Sequence, residues 1–540
     1  MNAKICFPPP VNEPVYDYAP DTNYRKNLED ALATMYASTV DIPMIINGKE
    51  VFTEKRLPIF PPDDIAHCIG HHAYGDGEHV HSAIAAALAA ARNWRNMPWQ
   101  NRAAIFMKAA DLISTKYRYI LNAATMLGQS KNAYQAEIDA VSELADFLRF
   151  NVHYMEQIYA VQPFSPPLLH NSVEYRPLEG FVLAITPFNF TAIAGNLCAA
   201  PAMMGNVVVW KPAETQIYSA HVIMQIFREA GLPDGVINMV FAEGPTVGDL
   251  VFAHHEFAGL HFTGSSAVFA QLWKTISHNL ANYKNYPRIV GETGGKDFVL
   301  ATPEVDIDVL VTALIRGAYE YQGQKCSAAS RAYIPKSIWP VVKEKFIKEL
   351  STIKVGRTTD FGNFVNAVIS ASAYHKIVKY IEMARAIEGN EIISGGTYNS
   401  EQGYFIAPTA IVTEDPHSLT MREEIFGPIL TLYLYNDAEL DETLSLIDST
   451  SEYALTGAIF CNDRTKIDYI MERLTYAAGN LYINDKPTGA VVGQQPFGGA
   501  RGSGTNDKAG SYMNLLRWVS PRTIKENFVP PSDYRYPFMG

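Results

Sequence analysis

The sequence predicts an α/β protein built on a doubly wound parallel sheet, followed by a second α/β unit and a small β extension. Three observations carry this reading. Short β-rich runs ("GFVLAIT", "NVVVWKP", "GVINMVFA", "AGLHFTGS", "PRIVGET") recur between residues 180 and 293. Helical segments beginning near Ala192, Ile217, Thr246 and Ser266 separate them, the strand–helix–strand alternation of a parallel sheet. The chain, at 540 residues, also exceeds the size at which a single core stops growing, so two or three packed units are expected.

Composition narrows the function. With 48% apolar and 19% charged residues the chain reads as an ordinary globular protein, and no apolar run reaches the roughly 18 residues of a membrane span. A net charge of -12 disfavours nucleic acid and anionic membranes as partners, leaving a small-molecule ligand. The start, "MNAKICFPPPVNEP", has neither a secretory core nor an Arg-rich presequence, which predicts the cytoplasm, or the mitochondrial matrix for a processed eukaryotic chain. Cys6, Cys68, Cys198, Cys326 and Cys461 are scattered and odd in number, so reduced thiols are expected.

In chain order, residues 1 to 60 are rich in proline and tyrosine and predict an arm lying on the body. From Ser82, "SAIAAALAAARNW", "NRAAIFMKAADLISTKYRYILNAATML" and "QAEIDAVSELADFLRFNVHYMEQI" predict about three helices ending near 158. The proline-broken stretch around "SVEYR" predicts a projecting strand or hairpin and a subunit contact. After the parallel unit, a second alternating unit runs to about 500, then the glycine-rich loop "VVGQQPFGGARGSGTN" and the strand-like "LLRWVSPRTIKENF". The expected division is an arm and cofactor domain over 1–158 and 178–296, a catalytic domain over 297–505, and a flap and tail over 159–177 and 506–540.

Ligands on such a sheet sit at the carboxyl ends of the strands, where "ITPFNF", "WKPAE" and "FTGSS" fall. G-x-G-x-x-G is missing, but Lys211 and Glu214 suit ribose hydroxyls, and Ser265 at a helix start suits phosphate. Surface positions and a helix cap are the plainer readings. Asn189 between two aromatics is an Asx turn or an oxyanion donor. Glu292 in "VGETGGKD" is structural or a general base acting through water. Cys326 in "GQKCSAAS" has small neighbours that leave room for a substrate, and a helix starting nearby would favour its thiolate. The run "HCIGHHAYGDGEHVH" tempts a metal reading, yet its spacing fits no closed zinc pattern, so no metal is expected.

The ordered set "PFNF", "WKPAE", "FTGS", "GETGGKD", "GQKCSA", "EEIFGPIL" and "PFGG" resembles the NAD(P)-dependent aldehyde dehydrogenase superfamily from about residue 40 to the end. The stretches "QAEIDAVSELADFLRFN", "ITPFNFTAIAGNL" and "GNLYINDKPTGAVVGQQPFGGARGSGTNDKAG" are similar to its branch that oxidises glutamate γ-semialdehyde to glutamate. The resemblance implies that Cys326 is the nucleophile, Asn189 an oxyanion donor and Glu292 the general base. It places NAD against Thr186, Phe188, Lys211, Glu214, Gly264, Ser265, Glu424 and Phe426. Acid at 214 favours NAD over its 2'-phosphorylated form.

The same resemblance implies a substrate chain held between Phe190 and Phe497, with its carboxylate on Ser327, Thr488, Gly489 and Ala490, where relatives often carry serine at the last position. It implies Glu143 for the substrate ammonium, with Glu137 on the same helix as the competing carboxylate and an exposed helix face as the plain reading. A homodimer or larger homo-oligomer follows from the flap, and a proline dehydrogenase is a partner by pathway analogy. The rival readings are a dehydrogenase of another carboxylated semialdehyde, such as succinate semialdehyde, and an NAD-binding protein without catalysis.

Overall fold

The computed structural model describes residues 6–540. Its first seven-stranded sheet has five parallel strands, Phe181–Ile185, Val207–Lys211, Ile237–Met239, Phe257–Thr263 and Arg288–Glu292. The earliest, Phe181–Ile185, lies centrally; the next two strands add on one side and the last two on the other. That reversal leaves a crevice at the carboxyl ends of Phe181–Ile185 and Phe257–Thr263. These strands read as unbroken apolar runs because helices cover both faces, and Phe257–Thr263 is buried along its whole length.

The arm is more structured than its composition suggests. Residues Asn23–Ala37 form a helix that buries Leu28 and Leu32, four residues apart, against the helix Arg118–Gln129. The short strands Met44–Ile46 and Lys49–Val51 then extend the first sheet antiparallel at its edge. Prolines and tyrosines masked that periodicity.

The helical run begins at Gly77, five residues before the alanine-dense text, because the Asp76 side chain accepts from the Glu78 and His79 N–H groups and caps the helix Gly77–Asn96. His79 completes this cap, and His72 is buried in the strand Gly70–Ala73, so part of the histidine-rich run serves local structure. Trp99–Ser114 and Arg118–Gln129 follow, then a segment from Ala133 to Ala160 whose middle, Glu137–Ser142, is a π-helical turn. A π turn inserts an extra residue and re-aims the side chains around it.

The second seven-stranded sheet runs, in spatial order, Asn390–Ser394, Thr409–Thr413, Ile429–Tyr435, Ala329–Pro335, Asp297–Ala301, Thr456–Phe460 and Asn480–Ile483. All pairs but the first are parallel. The "SVEYR" strand, Leu169–Pro177, makes no hairpin of its own; it pairs antiparallel along its length with Val519–Asn527, far away in sequence.

Candidate active site

Between the sheets lies a cavity of about 320 Å³. Cys326, Glu292, Phe190, Phe497 and Glu143 line it, and so do Ser327, Gly489 and Ala490. With Thr488, nine residues named from the sequence thus meet in one space, drawn from six stretches of chain.

Cys326 is set in the loop ahead of the strand Ala329–Pro335. No helix begins there, contrary to the expectation that a helix amino end would favour the thiolate; a short 3-10 turn, Glu320–Gly323, precedes it. Instead the loop is held by backbone strain. Tyr321 and Gln322 have φ of 50° and 56°, left-handed values that L side chains rarely adopt. They are pinned across the fold: Tyr321 Oη donates to the Gln129 carbonyl at 2.8 Å, and Gln322 Nε2 to the Ser130 and Ala367 carbonyls. Burial pushes the Cys326 thiol well above its usual range, and the charges of Asp297, Glu292 and Glu424 add to this.

The paired glycines of "GETGGKD" have a steric cause. A Cβ on Gly294 would meet Glu424 Oε2 at 2.3 Å, and one on Gly295 would meet the Cys326 carbonyl oxygen at 2.2 Å. The Cys326 backbone closes on Gly295, where only glycine fits, while at Gly294 the tip of the Glu424 side chain takes the space. Glu292, just before it, ends the strand Arg288–Glu292; its Oε2 is buried without a partner among the described residues. Burial raises its pKa well above the carboxylate range, with Asp507 adding and Lys508 opposing.

Asn189 is buried beside the Cys326 loop, where its Nδ2 donates to the Gln324 carbonyl at 3.0 Å. One of its two amide hydrogens is used there. Gly489 sits at φ +95°, a conformation that favours glycine, and Ser327 Oγ lies 2.8 Å from Thr488 Oγ1, tying the Cys326 loop to the 488–490 loop.

Glu137 and Glu143 separate cleanly. Glu137 is fully buried and does not line the cavity; neither carboxylate lies on an open helix face. Glu143 Oε2 has no partner among the described residues, and burial with the neighbouring Asp139 charge raises its pKa, against Lys131 and Lys325. Lys131 pairs with Asp139 and lies 4.3 Å from the centroid of the Phe190 ring. Its own pKa is drawn down to about 8 by burial.

None of the eight cofactor candidates lines this cavity. Thr186, Lys211 and the turn before Glu214 are stitched together: Thr186 N–H donates to the Lys211 carbonyl and Ala213 N–H to the Thr186 carbonyl, each at 3.2 Å. Burial lowers the Lys211 pKa, opposed by Glu214, which opens a 3-10 turn. Gly264 N–H donates to the Glu292 carbonyl at 3.1 Å, and Ser265 Oγ accepts from Val268 N–H as the cap of the helix Ser266–His278. Ser265 therefore fills its plain role as well as standing at the crevice. Glu424 accepts from Gly295 N–H at 3.0 Å, while Phe188 and Phe426 meet edge to face at 5.8 Å.

Sequence reasoning missed Asn12, Glu13 and Val15, which line the cavity from the arm, and Lys325, which brings a charge next to Cys326. The proximity of Lys325 to Cys326 in "GQKCSA" was the one available signal; the arm had none.

The chain matches the aldehyde dehydrogenase family model over residues 52–524. It is 49% identical over 540 residues to the mitochondrial delta-1-pyrroline-5-carboxylate dehydrogenase of Dictyostelium discoideum, covering 99% of this chain and 97% of that one. The NAD-bound Delta-pyrroline-5-carboxylate dehydrogenase of Mycobacterium tuberculosis superposes with a TM-score of 0.97 at 48% identity, covering 100% of both chains. Proline utilization A of Bdellovibrio bacteriovorus matches with a TM-score of 0.92 at 30% identity, over 98% of this chain and 55% of that longer one.

Proposed function

The chain belongs to the aldehyde dehydrogenase family, and on that premise we propose that it oxidises L-glutamate γ-semialdehyde, the open form of pyrroline-5-carboxylate, to L-glutamate with NAD. One observation carries this reading: a cysteine, an unpartnered base, an aromatic pair, a glycine loop and a second unpartnered carboxylate share one cavity. That set matches an aldehyde bearing an ammonium and a carboxylate.

The first sheet suits a dinucleotide. Its crevice brings a desolvated lysine beside a carboxylate at 211 and 214, and the amino end of a 13-residue helix at Ser265. Bound there, NAD supplies the acceptor for a hydride. The first sheet is thus the cofactor unit and the second the catalytic one.

Before attack, the Cys326 thiol must lose its proton. Of the three carboxylates whose charge reaches it, only Glu292 lines the cavity, and its unpartnered Oε2 is free to accept that proton. Sγ then bonds to the carbonyl carbon. The oxygen becomes an oxyanion facing the Asn189 amide hydrogen not given to Gln324 and the Cys326 N–H. Departure of hydride from that carbon leaves a thioester on Cys326. Glu292, after passing the thiol's proton to solvent, takes a proton from water as the water oxygen bonds to the acyl carbon; the C–S bond breaks, the thiolate recovers a proton from Glu292, and glutamate leaves.

Assembly is proposed through the ribbon of Leu169–Pro177 and Val519–Asn527, which stands away from both sheets and is flanked by exposed Phe164 and Phe528. The mitochondrial relative supports a matrix location, and the match to part of proline utilization A supports association with a proline dehydrogenase. No helix among the described residues is long and apolar enough to cross a membrane.

NADH formation from glutamate semialdehyde tests the reading, with Cys326→Ala and with succinate semialdehyde in parallel. Turnover that needs Cys326 and prefers the glutamate derivative is expected. Preference for succinate semialdehyde would keep the chemistry and overturn the anchoring; NAD binding without turnover of either would overturn both.

A further inference from the structure

One wall of the cavity comes from the start of the chain, where Asn12, Glu13 and Val15 face the same space as Cys326. The reaction as derived uses none of them. Asn12 nevertheless joins two parts of the site. Its Nδ2 donates to Asp146 Oδ2 at 2.7 Å and to the Val492 carbonyl at 2.8 Å, and its Oδ1 accepts from Gln494 Nε2 at 3.0 Å. Asp146 stands on the helix Glu143–Ala160, one turn beyond Glu143. Val492 and Gln494 continue the loop that begins Thr488–Gly489–Ala490.

The strap is itself fixed. Glu13 N–H donates to Asp146 Oδ1 at 2.7 Å, and the Glu13 carboxylate accepts from Arg118, Arg149 and Ser114. Arg118 also donates to the Pro14 carbonyl at 2.6 Å, and Tyr16 N–H and Tyr18 Oη donate to Glu137. Buried ion pairs held by several hydrogen bonds resist rearrangement, so residues 12 to 18 form a rigid tie.

We infer that Asn12 is a specificity-determining, positioning residue: it ties the helix bearing Glu143 to the loop bearing Gly489 and sets their separation to the span of an α-amino carboxylate. This rests on the proposed substrate. A ligand with both charges gains its second contact as an intramolecular event only while the two anchors keep their spacing. An aldehyde with neither charge does not sense it.

The test compares kcat/KM for glutamate semialdehyde with that for butanal in the full chain, for Asn12→Ala, Asn12→Asp and Gln494→Ala. Asn12→Asp keeps the side-chain volume and removes both donor hydrogens. In both Asn12 variants the ratio of the two kcat/KM values falls about tenfold, through KM for the semialdehyde, the size of one or two lost hydrogen bonds. Gln494→Ala, an exposed change that breaks a single link, lowers the ratio by about threefold. A ratio that holds, or parallel loss on both aldehydes, overturns the inference and leaves the proposed reaction standing. A native chain that does not distinguish the two aldehydes overturns the proposed reaction and the inference with it.

Discussion

Glu137 and Glu143 lie on one helical run, both out of bulk solvent, and have opposite surroundings. Glu137 accepts four hydrogen bonds, from Tyr16 N–H, Tyr18 Oη, Arg118 and Asn122. Glu143 presents an oxygen to the cavity with no partner among the described residues. A buried charge that is fully bonded ties elements together, whereas one left unbonded costs stability and keeps its capacity for a ligand. The π turn between them separates the two roles. Glu292, with its own unpartnered oxygen, belongs with Glu143.

The contrast predicts that cavity groups govern rate and framework groups govern stability. The largest effect is expected from Cys326→Ala: NADH formation falls by about 10⁴-fold or more, since removing a nucleophile disables the whole catalytic unit. Its thermal midpoint should hold. Next is Glu292→Gln, with turnover down about 10²- to 10⁴-fold, the range of a positioned general base. Rapid mixing should show the first turnover slowed along with the steady state, because Glu292 accepts the thiol proton before attack and the water proton afterwards.

Glu137→Ala acts on the other side of the comparison. It leaves Arg118 as a buried cation with only Glu13 as carboxylate partner, a loss of about 3–5 kcal/mol in urea unfolding. A midpoint equal to the native one would break the distinction.

Glu143→Gln is the finest test. It raises KM for the semialdehyde about tenfold, the size of one charge-assisted hydrogen bond, with little change in kcat. The raised Glu143 pKa also fixes a sign. The native state binds this proton more tightly than the unfolded chain, so the group's stability penalty grows as pH rises through the interval between its unfolded and folded pKa values. Removing it should leave the unfolding midpoint at pH 7 unchanged or higher. Native KM should fall with rising pH as Glu143 ionises, and the variant should lose that dependence; a variant that keeps it would assign the titration to another group.

Much of this was legible in the text. The five parallel strands and their helices were marked by β-branched runs and by helix starts that hold within two residues. The glycines at 294, 295 and 489 could be read as places of close approach, and the coordinates supply the atoms that approach. The arm's helix was hidden because its core contact is two leucines among polar residues, and no local pattern marks a strap whose partners lie at 118, 146 and 492.

By itself the sequence determined the doubly wound sheet, because periodicity and turns are local properties, and its family resemblance singled out the candidates for nucleophile, base and anchors. Only the tertiary structure decided which carboxylate faces the cavity, that the loop leading to Cys326 has left-handed backbone and starts no helix, and that Asn12, Glu13 and Val15 line the same space. Those outcomes depend on burial and on partners distant in sequence, and desolvation energies arise only when segments come together.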